Sequence, residues 1–453
     1  MNLLKNHTLN YLLKTRAFQF ILQIPFVLIF ILIILAGLYG ASLSSSNIAT
    51  VVTWTIWWGG LIFTFPLIGR AWCLVCPWAA ISDWVQRLAF WKKKETGLGL
   101  DKKFPIWLRN MYPVIISFLI ITWAEFYFSA VSNPKNTAYI AIIFLIAAVL
   151  ISIIFERRSF CRYLCPIGGM IGIYSKFSLL ELRARDKAVC RACNTKDCIN
   201  GNEKGYGCPV FEYPEAMDRN TYCVLCTECV KTCPKDNIAL NIRPVAKELT
   251  HPSDRSLDES LMILAAFAIV IFHGITMIPV WFKWTDAIMM NTGIAPYALV
   301  TIALFGFTAL TVLVYLFFVL LTHGSRLTTH DLFVAFAYPL IPLALFFHLS
   351  HNVFHLFGEG KNLLIVSSDP FGWGWNLFGT RGLKLEPIIS FNMIYYLEIA
   401  LAILGTVYAI YLTYKTSLQD FEGRGFVSMA IMILCLTILY ILMLNQPMVM
   451  RMG

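Results

Sequence analysis

The chain has 453 residues, of which 58% are hydrophobic and only 14% charged, with a mean hydropathy of +0.68. Such a composition excludes an ordinary water-soluble domain with a charged surface. The formal net charge of +10 raises nucleic acid as a partner, but the basic residues gather in the short segments between apolar runs, which argues against it. About nine runs are long enough to cross a hydrocarbon core as helices: residues 17–40, 50–69, 111–131, 138–155, 257–281, 295–322, 329–357, 390–414 and 426–446. The first follows Lys14 and Arg16 and exceeds a signal-peptide core in length, so it reads as a span.

With the N-terminus in the cytoplasm, thirty of the 36 Lys and Arg fall on one side. Six (Lys135, Lys283, Lys361, Arg381, Lys384 and Arg451) fall on the other. This positive-inside bias predicts an all-α polytopic protein of a bacterial inner membrane, with its C-terminus outside. Three domains are expected: four spans in 1–170, a cytoplasmic insert in 171–255 and five spans in 256–453.

In the first domain, span two ends in GRAWCLVCPWAA and span four in ERRSFCRYLCPIGGM. Both Cys-Pro motifs lie at cytoplasmic helix ends, so Cys73, Cys76, Cys161 and Cys165 can meet. Four thiolates there suit a further cluster, a soft metal or a redox dithiol, and small apolar packing is the plain alternative. The two hairpins resemble each other, a weak internal repeat. The stretch from Trp72 to Lys103 reads as an interfacial segment whose Lys92, Lys93 and Lys94 meet anionic lipid headgroups.

The insert carries the densest chemistry. Cys223, Cys226, Cys229 and Cys233 followed by Pro234 match C-x₂-C-x₂-C-x₃-C-P, a spacing that sends three thiolates to one [4Fe-4S] cubane and the fourth to its neighbour. Cys190, Cys193, Cys198 and Cys208-Pro209 form a looser copy. The crossing rule assigns Cys190, Cys193, Cys198 and Cys233 to one cluster and Cys208, Cys223, Cys226 and Cys229 to the other. Zinc sites usually need only two Cys pairs, and a reducing cytoplasm disfavours disulfides.

In the C-terminal domain, His273 lies in span five, while His348, His351 and His355 stripe one face of span seven. Ionisable groups inside a membrane are costly unless they face a cavity, partner or cofactor. His273 with His348 or His351 is the pair suited to a bis-His b-type haem; a quinone pocket, another metal or plain helix packing are the alternatives. Glu398 could accept a quinol proton. His323 and His330 flank a cytoplasmic loop, where solvation is the plain reading and a second haem the other. Cys435 and the tail methionines Met443, Met448, Met450 and Met452 read as packing. The Gly- and Trp-rich loop 358–389 is expected outside, over the His-bearing helices or against a partner.

Paired hairpins ending in Cys-Pro and followed by a two-cluster segment resemble the polyferredoxin-type 4Fe-4S membrane proteins, the NapH-, NosR- and CcoG-like group, over about residues 17–240. That resemblance implies electron transfer between membrane carriers and a partner. The sequence departs from it in C-x₂-C-P at Cys73, where members often have C-x₃-C-P, and in the long C-terminal membrane extension. No phosphate loop, dinucleotide fingerprint, CxxCH or hydrolase triad is present. The leading expectation is an electron-transfer subunit linking cytoplasmic clusters to quinone or a periplasmic cytochrome c, with a cytoplasmic redox partner. A metal-centre assembly factor and a redox-sensing regulator are the alternatives.

Overall fold

A computed structural model describes residues 1–90, 97–250, 255–322 and 328–449. His323, Lys92, Lys93, Lys94, Met450 and Met452, singled out above, lie outside the described residues. The apolar helices are α1 (Arg16–Tyr39), α2 (Ile48–Arg87), α3 (Tyr112–Tyr127), α4 (Pro134–Ile154), α5 (Leu257–Thr276), α6 (Pro279–Thr292), α7 (Pro296–Leu320), α8 (Thr329–Glu359), α9 (Phe391–Phe421) and α10 (Phe426–Leu444). Among the described residues, eight are long and apolar enough to cross a membrane, and α3, with 16 residues, is a shorter apolar helix. The nine expected runs are thus all helical. The differences are the short α3, the additional α6 and the reach of α2. Its apolar run was expected to end at 69, yet it turns at Gly69–Ala71 and Cys76 and goes on to Arg87.

Contacts divide the chain into two compact units. The first comprises Met1–Leu32, Thr64–Ser117 and Ile140–Ser253. Here strand β1 (Leu180–Ala184) pairs antiparallel with β2 (Ile238–Ile242), Leu182 opposite Leu240, so the strands bracket all eight insert cysteines. The N-terminal ammonium group donates to the Ile242 carbonyl and Asn2 bridges Asn241, extending the ladder. Buried Leu182, Ile238 and Leu240 share a core with Leu4, Leu13 and Met217. Arg243 is buried beneath the sheet, bonded to the Glu181 and Glu248 carboxylates and the Ser178 carbonyl, which satisfies a charge that would otherwise be costly to bury.

The second unit comprises Ile33–Phe63, Phe118–Tyr139 and Asp254–Gly453. Its centre is α8, whose apolar window is wholly buried and which packs on α5 and α9. Close approach of α9 requires glycine: a Cβ on Gly405 would sit 2.5 Å from that of Phe346. The last turn of α8, Phe354–Glu359, widens into a π-turn, a local rearrangement common where helices carry function. The loop after α8 forms the short helix Asn362–Ser368. Asp369 then accepts the backbone N–H groups of Trp373 and Gly374, and Phe371 stacks on Trp373 at 4.3 Å.

Candidate metal centres

Within the first unit the twelve motif cysteines fall into three sets of four. Cys190, Cys193, Cys198 and Cys233 line one small cavity with Tyr213 and Asn237. Asn237 donates its backbone N–H to the Cys233 Sγ at 3.3 Å and its side-chain Nδ2 to the Cys190 Sγ at 3.2 Å. Burial, reinforced by Cys233, Cys190 and Cys193, pushes the Cys198 thiol up to about 11.

The second set is Cys208, Cys223, Cys226 and Cys229. Burial pushes the Cys229 thiol well up, and the nearby Cys226, Cys208 and Cys223 add to it. Cys223 and Cys226 rise to about 12, again chiefly through burial. Leu225 and Thr227 hold left-handed φ values of +50° and +62°, and this tight winding turns Cys223, Cys226 and Cys229 inward together. The Glu212 N–H points at the Cys208 Sγ, 3.2 Å away.

The third set is Cys73, Cys76, Cys161 and Cys165. Cys161 lies within charge range of the other three. Both Cys-Pro turns start helices: Cys76 caps Pro77–Arg87 and Cys165 caps Pro166–Tyr174, with proline at the first helical position. That position lacks an N–H that would go unpaired anyway. The Gly168 N–H then reaches the Cys165 Sγ at 3.3 Å, and the Ala79 N–H bonds Cys76. The third set thus repeats the N–H to sulfur chemistry of the first two.

The sets adjoin in order. Cys198, Cys223 and Cys229 share one buried cluster, while Cys208, Cys226 and Cys73 share another with Val210 and Val224. Arg158 ties the second set to the third. Its N–H bonds the Pro209 carbonyl, and its guanidinium bonds the Asp83 carboxylate at 2.7 and 3.0 Å and the Cys73 carbonyl at 3.1 Å.

Four cysteines in each set, with N–H donors at their sulfurs, are the donor chemistry of a [4Fe-4S] group. Among the described residues no group of three or more His, Cys, Asp or Glu side chains is arranged to hold a single metal ion. A cubane instead spreads four thiolates around a larger body and draws N–H donors to its sulfurs.

In the second unit, His273 Nδ1 lies 3.0 Å from the Ile269 carbonyl and His348 Nδ1 lies 2.9 Å from that of Ala344. Each contact fixes ring orientation through Nδ1–H, and at His273 Nε2 faces the Glu125 carboxylate, 3.4 Å away. His348 is within charge range of His273, and the His273 and His351 ring centroids are 6.2 Å apart. His355 bonds Glu359 at 2.9 Å and lies 5.0 Å from the His351 ring. Glu398 is buried on α9, its backbone carbonyl accepting from the Ser350 hydroxyl. His330 is exposed beside Asp331 and Cys435 is exposed on α10. Met443 lines an apolar cavity.

Sequence reasoning passed over Arg70, Asp83, Glu125, Arg158 and Glu359. Glu125, whose carboxylate lies 3.4 Å from His273 Nε2, was visible as a lone acid in an apolar run. Arg70 and Arg158 looked like ordinary basic residues at helix ends.

A family model described as a 4Fe-4S binding domain matches residues 50–95 and again 137–184, and each segment carries one Cys-Pro motif. The N-terminal half is thus similar to ferredoxin-type 4Fe-4S proteins. The double match also accords with two related hairpins. This half is similar to the methylamine utilization ferredoxin-type protein MauN of Paracoccus denitrificans, 30% identical over 29% of this chain and 49% of that protein. It is likewise similar to MauN of Methylorubrum extorquens, 32% identical over 29% of this chain and 48% of that protein. The ferredoxin-type protein NapH of Escherichia coli is 22% identical over 45% of this chain and 72% of that protein. The chain therefore spans only about half the length of the MauN relatives. No solved structure matches.

Proposed function

We propose that the protein is an integral-membrane electron-transfer protein that relays single electrons between cytoplasmic [4Fe-4S] clusters and a carrier in or beyond the membrane. The observation that carries this reading is the contiguous run of three four-cysteine sets, the third of which falls in the segments matched by the 4Fe-4S model. Bound there, [4Fe-4S] clusters supply one-electron carriers. Cys190, Cys193, Cys198 and Cys233 hold the group nearest solvent, and Cys208, Cys223, Cys226 and Cys229 the middle one. Cys73, Cys76, Cys161 and Cys165 hold the one at the membrane helices. Val210 and Val224 exclude water between the second and third sets. The positive-inside bias supports a bacterial inner membrane with the insert in the cytoplasm, beside a cytoplasmic redox partner.

In the second unit, His273 with His348, or with His351, would ligate a b-type haem through Nε2, since Nδ1 of His273 and of His348 is committed to a carbonyl and the Glu125 carboxylate at His273 Nε2 would give way to the iron. His355, held by Glu359, would stand beside it. Quinone is the membrane carrier this reading favours over a periplasmic cytochrome c. An apolar cavity of about 340 Å³, walled by Leu264, Phe267, Phe307, Met432, Tyr440 and Met443, is suited to an isoprenoid tail. Glu398, close enough to Tyr440 for their charges to interact, would take a quinol proton.

The test is an anaerobic preparation analysed for iron and sulfide, with oxidised and dithionite-reduced spectra and pyridine-haem extraction. Iron–sulfur absorption with sharp reduced b-type bands that vanish in His273→Ala is expected. Iron–sulfur absorption without haem removes the histidine assignment, and a preparation with neither sinks the relay.

A further inference from the structure

We propose that Arg70 is the fixed positive charge that raises the reduction potential of the group held by Cys73, Cys76, Cys161 and Cys165. This rests on the third-cluster reading above. Arg70 is 2% exposed, although arginine is almost never fully buried unless paired. Yet among the described residues it forms no ion pair with a carboxylate. Its neighbours are instead the cysteines: it bonds the Cys73 side chain, lies within charge range of Cys165 and Cys161, and donates Nη2 to the Cys161 carbonyl at 2.9 Å. Nη1 is anchored on the Thr221 carbonyl at 2.7 Å, while the buried Nε–H has no hydrogen-bond partner.

The chain makes room for this arginine. A Cβ on Gly168 would sit 2.9 Å from Nη2, and one on Gly172 would sit 2.5 Å from the Thr221 carbonyl and 3.5 Å from Nη1. Gly69, at φ +55°, opens the short 3-10 turn Gly69–Ala71 that carries Arg70. The other buried arginine at this site, Arg158, is matched by Asp83, so Arg70 is the uncompensated cation.

Four thiolates around a cubane carry a net charge of about 2− when oxidised and about 3− when reduced by one electron. A nearby buried cation stabilises the more negative state more strongly, so reduction becomes easier. In the relay, the added electron comes from the quinol side and passes on to the neighbouring cluster of the second set.

The experiment is an anaerobic redox titration followed by electron paramagnetic resonance, with iron analysis, on the full chain and on Arg70→Gln and Arg70→Lys. Three clusters require about twelve iron atoms per wild-type chain. Arg70→Gln should shift one of the three signals to lower potential by at least tenfold in its reduction equilibrium, about 59 mV for one electron. The other two should stay in place, and Arg70→Lys should remain close to wild type. Full iron with unmoved potentials in Arg70→Gln overturns the proposal. If Arg70→Gln loses about four iron atoms and Arg70→Lys keeps them, the charge serves binding rather than potential and the proposal is overturned. Loss in both variants assigns Arg70 to carbonyl bracing alone and overturns it. About eight iron atoms in the wild type would overturn the third-cluster reading on which it rests.

Discussion

Cys223 and Cys226 sit where burial pushes their thiols up to about 12, from an ordinary value of 9.0. Between those values a chain without metal holds protons at these sulfurs when folded that it releases when unfolded. More protons in the folded state means that stability falls as pH rises. The contribution is fully present below the ordinary thiol value and is lost as pH climbs through the raised one. Chains loaded with clusters have these sulfurs already ionised and ligated, so they escape this loss. Chelator-stripped protein in detergent should therefore melt at a lower temperature at about pH 10.5 than at about pH 8, with a smaller drop for loaded protein. Equal drops in the two forms would count against the thiols as the cause. The cysteine spacing named the candidate ligands, but the positive-φ winding at Leu225 and Thr227 and the N–H donors from Asn237 and Glu212 were not legible. They depend on where distant backbone comes to rest.

Helices were legible because twenty or so apolar residues in a row leave few other structures, and the histidine stripe followed from helical spacing alone. What breaks and ties the helices was hidden. The expected end of the second run near residue 69 marks only a turn, beyond which Asp83 is carried inward to meet Arg158. The side chains of this pair are 5% and 1% exposed, so neither charge has water to fall back on. Asp83→Asn should cost about 3–5 kcal/mol, the usual penalty for stranding a buried partner. It should also loosen the Arg158 bond to the Cys73 carbonyl. The exposed Lys14–Asp236 pair, at 2.6 Å, is the control: Asp236→Asn should change stability by about 0–1 kcal/mol despite the shorter contact. Thermal unfolding in one detergent compares the two. Similar losses would show that burial is not what gives the Asp83 pair its weight.

Across the whole molecule, the cysteine sets do not follow the order of the motifs, and this makes them testable by counting. Cys229 and Cys233 are four residues apart in one motif, yet Cys229 lies with Cys226, Cys208 and Cys223 while Cys233 lies with Cys190, Cys193 and Cys198. Cys198 and Cys233 are 35 positions apart in sequence and share one cavity. The paired strands β1 and β2 close the insert into a ring, which brings the end of the second motif back beside the first. If each set holds one cubane, changing two ligands within a set removes no more iron than changing one. Changing ligands in two sets removes twice as much. Cys198→Ser with Cys233→Ser should lose about four iron atoms per chain, and Cys229→Ser with Cys233→Ser about eight. Iron and sulfide analysis of anaerobically purified variants reads the difference directly. The reverse pattern would mean that each motif wraps its own cluster, and the order of the relay would then have to be redrawn from the first site onward.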